Sequence, residues 1–199
     1  MTGNLIVLWL AALPLMGSPG PATLSLAAIG AAFGARDGVP YLAGILVGTF
    51  GVLLLIATGV TGLILAKPVL VTLVTSLAAV YILYLAYRIA AAPVIAKENG
   101  EANTPSFSGG FVLAIANPKA FAAIGAVYSG NSLFQNALMI DAIAKIAALS
   151  LVIVAVNVSW LVFGSILSSV LRDPKTGRIA NIIFAIMLVA SVAIAMLGG

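Results

Sequence analysis

The chain has 199 residues, 63% of them hydrophobic and only 7% charged, with a mean hydropathy of +1.24 and a formal net charge of +4. A soluble domain carries about 25% charged residues, so this composition belongs in lipid, and the basic excess, placed between apolar stretches, reads as membrane topology rather than nucleic-acid binding. Cysteine and histidine are both absent, which excludes disulfides and thiol redox relays and removes the commonest transition-metal ligand and the usual neutral-pH proton shuttle.

Six apolar stretches run along the chain, at residues 5–35, 42–65, 69–91, 109–130, 142–171 and 179–197. Crossing hydrocarbon takes about 20 helical residues, so each suffices for one span. The expected fold is therefore an all-α membrane protein of six transmembrane helices forming one integral membrane domain. The first stretch lacks a basic segment before it and continues well past Pro21, so it reads as a span and not a cleaved signal.

Span 1 is interrupted by Gly17-Ser18-Pro19-Gly20-Pro21 and resumes through Ala27-Ala28-Ile29-Gly30-Ala31. Ser18 is a preferred N-cap residue and Pro19 stands at the favoured first helical position after it. Gly30 with Gly34, and Gly44 with Gly48 in span 2, form small-xxx-small pairs that let helix backbones approach closely. The favoured use is within one protomer, and a homodimer is left open. In span 3, Tyr81, Tyr84 and Tyr87 recur at helical spacing, expected as a packed face with an aromatic anchor near the interface, with the lining of a cavity as the alternative.

The one long polar stretch, 93–108, is expected to be a cytoplasmic connection between a first three-helix repeat (1–92) and a second (109–199). Span 4 is then interrupted at Asn117-Pro118-Lys119 and resumes through the same pentapeptide, Ala122-Ala123-Ile124-Gly125-Ala126. If it begins near Gly109, Lys119 lies about ten residues in, or roughly 15 Å at the helical rise. Three spans per half is an odd number, so the second half runs opposite to the first, as in an inverted-topology repeat. In span 5, Asn157 is a candidate either for a substrate's amino group or for an interhelical hydrogen bond, and Ser159 and Trp160 are expected to pack. Asp141 and Lys145, four apart, read as an ordinary surface pair.

Arg36, Arg88, Lys97, Arg172, Lys175 and Arg178 fall on one side of such a bundle, and Lys67 and Lys145 on the other. Positive charge favours the cytoplasm, which puts both termini outside.

Proline removes a backbone donor and crowds the carbonyl one turn back, tolerated in a span only where protein or a water-filled cavity satisfies the freed groups. Paired breaks in corresponding halves point to a carrier's binding site. Each half-helix start offers unpaired N–H groups and the positive end of the helix dipole, a cradle for a carboxylate, and Lys119 adds a full charge. The competing reading is that span 4 simply starts at Asn117 and Lys119 snorkels to the interface. The acids Asp37, Glu98, Glu101 and Asp173 are expected in the cytoplasm and Asp141 near the outer face. No nucleophile with a base or metal emerges, which argues against an enzyme.

These residues resemble the LysE/RhtB amino-acid exporters. Ser18-Pro19-Gly20-Pro21 is similar to the family's proline-glycine-proline signature, and residues 107–120, ending in Asn117-Pro118-Lys119-Ala120, are similar to its central motif. Gly38, Gly44 and Gly48 match its glycine-marked second span and Tyr81–Leu85 its third. Ala114, Ala78 and Ala86 depart from the pattern, which bears on substrate and helix packing. The resemblance implies export of amino acids or close derivatives across the plasma (inner) membrane by proton antiport, with small amino acids, protons and the lipid bilayer as partners and no cofactor. The expected substrate-binding residues are Ser18, Pro19, Gly20, Pro21, Asn117, Pro118, Lys119 and Asn157, with no metal site. Asp37, beside Arg36, is the nearest candidate for a proton relay. A passive channel and a divalent-metal exporter of related architecture are the alternatives.

Overall fold

Hydrocarbon leaves a peptide backbone no water to bond, so a spanning chain satisfies its own N–H and C=O groups as helix. The structure, a computed structural model, describes residues 2–59, 68–91, 106–170 and 174–197 and holds eight helices among them. These are α1 (Thr2–Gly17), α2 (Pro21–Phe33), α3 (Ala35–Ala57), α4 (Pro68–Ala90), α5 (Phe107–Ile115), α6 (Pro118–Gly130), α7 (Leu138–Val170) and α8 (Pro174–Leu197). Residues 93–105 of the expected 93–108 connection, with Lys97, Glu98 and Glu101, and the charged residues Lys67, Arg172 and Asp173 lie outside the described residues. So do the side chains of Ala78 and Arg88.

The all-α expectation holds, and both breaks are present. α3 and the first 30 residues of α7 are each long and apolar enough to cross a membrane. α1 with α2, and α5 with α6, meet the same test as pairs, bent by 63° and 58° at their proline motifs.

Some boundaries move for local reasons. α3 begins seven residues before the expected span because the preceding turn is a single residue, Gly34 at φ 86, whose N–H bonds the Gly30 carbonyl at 3.0 Å. Arg36 and Asp37 therefore sit on the first turn of a helix, where a carboxylate suits the dipole. α5 begins inside the expected connection because Ser106 caps it, its Oγ accepting the Gly109 N–H at 3.3 Å.

Helix packing is set by glycine. A Cβ on Gly30 would run into the Leu161 carbonyl and lie 2.8 Å from the Ser165 nitrogen, and one on Gly164 would strike the Ala27 backbone. α2 and α7 thus touch backbone to backbone. Gly44 and Gly110 do the same for α3 and α5, against Phe107 and Tyr41 respectively, and a Cβ on Gly48 would meet Phe111 and Ala114. The Gly30, Gly44 and Gly48 surfaces are consumed inside one chain, while Gly34 serves the turn.

Two apolar clusters result. One gathers Leu26, Ile29, Tyr41, Ile45, Ile82, Leu113 and Leu161 from the end of the bundle bearing Gly34 and Ser106. The other gathers Leu8, Val52, Leu53, Ile124, Leu149 and Ile153 from the opposite end. Both helix breaks fall between them. Tyr84 and Tyr87 are exposed on α4, outward-facing rather than on a packed face, and Tyr81 alone of the three packs against the first cluster.

Candidate functional site

At the first break the sequence reading needs correction. Ser18 does not cap α2 but finishes α1: its N–H bonds the Pro14 carbonyl at 3.0 Å and its Oγ donates to the Leu15 carbonyl at 3.0 Å. Spent on α1, Ser18 leaves the N-cap of α2 to Gly20, with Pro21 rather than Pro19 at the first helical position. Thr23 closes the turn, its Oγ1 accepting the Gly20 N–H at 2.9 Å. Gly20 brings no side chain to cap with, so the N–H groups of Ala22 and Thr23, orphans of the first turn, have no partner among the described residues. Trp160 Nε1 donates to the Gly17 carbonyl at 3.1 Å, a tether that the reading of Trp160 as a packing residue missed.

The second break follows the sequence closely. Asn117 caps α6, its Oδ1 accepting the Lys119 N–H at 3.2 Å, and Pro118 stands first in the helix. Asn117 is 4% exposed, and its Nδ2 has no partner among the described residues. A buried amide left half-unsatisfied costs free energy unless something else bonds it.

Lys119 joins the two breaks. Its ammonium neither snorkels to an end of the bundle nor lies over its own helix start. It reaches across to donate to the Ser18 carbonyl and, at 3.3 Å, to the Pro19 carbonyl. The stem passes so close to Gly20 that a Cβ there would lie 3.0 Å from Nζ and 3.2 Å from Cε. The first break thus has two faces: the α1 end presents carbonyls to a cation that comes from the second break, and the α2 start keeps the open N–H groups of Ala22 and Thr23.

A cleft opens here, lined by Met16, Gly20, Ala22, Thr23, Thr49, Asn117, Lys119, Ala120, Ala123, Ile124, Ile153, Val156 and Asn157. It leaves about 40 Å³ to the centres of water-sized molecules, above the roughly 10–15 Å³ that one water needs. Of the expected site residues it brings together Gly20, Asn117, Lys119 and Asn157, with Ser18 and Pro19 attached through their carbonyls. Asn157, 6% exposed, donates Nδ2 to the Ile153 carbonyl at 2.8 Å, and its Oδ1 has no partner among the described residues. Thr49 escaped the sequence reading. Its Oγ1 donates to the Ile45 carbonyl at 2.7 Å, leaving the oxygen free to accept, and the signal was a lone polar residue between Gly48 and a run of apolar side chains. No acid among the described residues lines the cleft. Asp37 is exposed on the first turn of α3 and is not brought to it.

Asp141 and Lys145 also depart from expectation. They are no surface pair, being 7% and 8% exposed and 2.8 Å apart. Asp141 Oδ1 accepts the N–H groups of Leu133 and Phe134 at 2.6 and 2.8 Å, folding the α6–α7 turn onto itself. Lys145 Nζ donates to the Tyr128 and Asn131 carbonyls and lies 4.1 Å from the Tyr128 ring centre. Each charge is paired and hydrogen-bonded, the condition for burying it.

Residues 13–198 match the family described as LysE type translocator. The chain is 31% identical over 172 residues to the cysteine/O-acetylserine efflux protein of Salmonella typhimurium strain LT2, covering 86% of this chain and 87% of that one. It is 29% identical over 178 residues to the protein of the same description from Escherichia coli strain K12, with the same coverage. No solved structure gives a significant match.

Proposed function

Because the chain belongs to the family of LysE type translocators, we propose that it exports small neutral amino acids or their close derivatives from the cytoplasm. It is a multi-pass inner-membrane transport protein and not an enzyme, as its family and its efflux relatives are. L-cysteine and O-acetyl-L-serine, named for those relatives, are the first substrates to try. The observation that carries the reading is the cleft between the two apolar clusters, a mostly apolar wall set with a few polar groups, fed by both helix breaks and holding Lys119 with no acid among the described residues beside it. A substrate carboxylate would be met by Lys119, by the open N–H groups of Ala22 and Thr23 and by the Asn117 amide, with Asn157 opposite. A second positive charge on the substrate would find no carboxylate, which favours neutral side chains.

The proposed mechanism is alternating access between two inverted repeats, 1–92 and 109–199, joined through 93–108. Each repeat runs as a broken pair followed by two long helices. Supporting it is an asymmetry in packing. Helix backbones touch at Gly30, Gly44 and Gly110, whereas Gly51, Gly125 and Gly130 have no neighbour within 4 Å of where a Cβ would sit. This reads as a state closed at the end carrying Arg36 and Lys175. By the positive-inside rule that end is cytoplasmic and both termini lie outside. The proposed transport unit is a single chain, since the small-residue surfaces that would join two copies are packed inside one. The proposed coupling ion is the proton, with Asp37 as its expected relay.

Cells overproducing the protein should accumulate the exported amino acid outside, and purified protein in proteoliposomes should show saturable flux and counterflow. Lys119→Ala should abolish that flux at an unchanged level of inserted, folded protein. Wild-type rates in the Lys119→Ala variant would overturn the reading.

A further inference from the structure

We infer that the paired carbonyls of Ser18 and Pro19 are the subsite for the substrate's α-ammonium, and that Lys119 fills it only while the cleft is empty. The inference rests on the proposed function and deepens it. Three observations carry it. First, the end of α1 is an electronegative stub: Pro14 is matched by the Ser18 N–H, Leu15 by the Ser18 hydroxyl and Gly17 by Trp160, while the Met16 carbonyl has no partner among the described residues. Besides the Lys119 ammonium, Ser18 O receives only a 3.3 Å contact from Thr23 Oγ1, and Pro19 O nothing among the described residues. Carbonyls at a helix C-terminus carry the negative end of the dipole and suit a cation.

Second, the occupant is itself a primary ammonium. Lys119 Nζ places an –NH₃⁺ group on the pair, and its stem lies where a bound molecule would have to lie, against Gly20. Gly20 at φ −171 needs no glycine for its backbone shape. What the missing Cβ provides is access to the two carbonyls.

Third, the donors that would greet a carboxylate stand idle while Lys119 is turned away from them. The Asn117 amide, 4% exposed on the cleft wall, has an unpartnered Nδ2, and the Ala22 and Thr23 N–H groups are open.

A zwitterion resolves all three at once. Its ammonium replaces Lys119 on the carbonyls, and Lys119 swings to its carboxylate beside the Asn117 amide and the α2 start. The cleft holds one net positive charge before and after, so no acid is needed to compensate the substrate. The amino group that the sequence reading gave to Asn157 goes to the carbonyl pair, and Asn157 Oδ1 is left for the substrate's side chain.

The test uses the purified protein and reads binding without transport. With Lys119→Ala the carbonyl pair is vacated, and methylammonium chloride at tens of millimolar should raise the variant's melting temperature by several degrees. Sodium chloride and tetramethylammonium chloride at equal ionic strength should not, and wild-type protein should respond to none of the three. Equal responses of variant and wild type, no response of the variant, or a response to sodium that methylammonium does not exceed would each overturn the assignment. A separate arm needs no variant. In wild-type proteoliposomes preloaded with L-cysteine, 3-mercaptopropionate, the same molecule without its ammonium, should compete at least 100-fold more weakly than L-cysteine. Competition within threefold would overturn the assignment even if Lys119→Ala does not fold. Absence of any amino-acid flux would instead count against the proposed function, leaving the methylammonium measurement to decide the subsite.

Discussion

The two identical pentapeptides allow a stability experiment with its own control. In Ala27-Ala28-Ile29-Gly30-Ala31 the glycine lies against the α7 backbone. A Cβ there would meet the Leu161 carbonyl, sit 2.8 Å from the Ser165 nitrogen and 3.2 Å from the Gly164 carbonyl carbon. None of these is the far end of a flexible side chain, so α2 and α7 must part. In Ala122-Ala123-Ile124-Gly125-Ala126 the glycine has nothing within 4 Å. Alanine gains roughly 0.8–1.0 kcal/mol over glycine in a helix interior, and this gain is common to Gly30→Ala and Gly125→Ala. It cancels in the comparison. What remains is the overpacking cost at Gly30, typically about 1–3 kcal/mol. At about 2–4 °C per kcal/mol for a chain of this size, Gly30→Ala should melt about 2–12 °C below Gly125→Ala. Gly125→Ala should match or slightly exceed wild type. The assay is thermal unfolding in detergent followed by the fluorescence of Trp9 and Trp160. Equal melting temperatures for the two variants would refute the claim that one helix pair is closed backbone to backbone while its sequence twin is not.

Three further outcomes are expected. Asp141→Ala removes the partner of a buried Lys145 and orphans the Leu133 and Phe134 N–H groups. It should cost about 3–5 kcal/mol, seen as a large drop in melting temperature, whereas a solvated surface pair would cost well under about 1 kcal/mol. A Cβ added at Gly125, as the first atom of Gly125→Leu, meets no neighbour in this state. This variant should melt near wild type yet lose most flux, because the side chain would obstruct closure at that end; normal flux would argue against a rocking motion there. Asp37→Asn tests the relay: uphill export driven by a pH gradient should fall while counterflow persists, and unchanged driven export would remove Asp37 from the coupling path.

Composition settled the solvent, and apolar runs of about 20 residues settled the fold class, since a backbone in hydrocarbon must close its own hydrogen bonds and runs of that length do so as helix. Local chemistry placed both breaks, because proline and its neighbours act within one helical turn. The Asn117-Pro118 start was legible for that reason. At Ser18 the same rule failed: a serine can cap the helix that follows or finish the one that precedes, and the choice was made by Pro14 and Leu15 one turn back.

Side-chain type fixed which polar residues are scarce enough to matter, so Lys119, Asn117 and Asn157 could be picked out in sequence, and Thr49 should have been. What only the tertiary structure decided is direction. Lys119 carries a flexible stem whose ammonium can point to lipid headgroups, to its own helix or across the bundle, and the bare Gly20 backbone 99 positions earlier is what lets it settle on the Ser18 and Pro19 carbonyls. In the same way, Asp141 and Lys145 are four apart on any helix. That they are buried follows from the fold of residues 131–137 over them. Spacing along a chain determines which groups share a face; whether that face meets solvent, lipid or another backbone depends on partners that spacing does not contain.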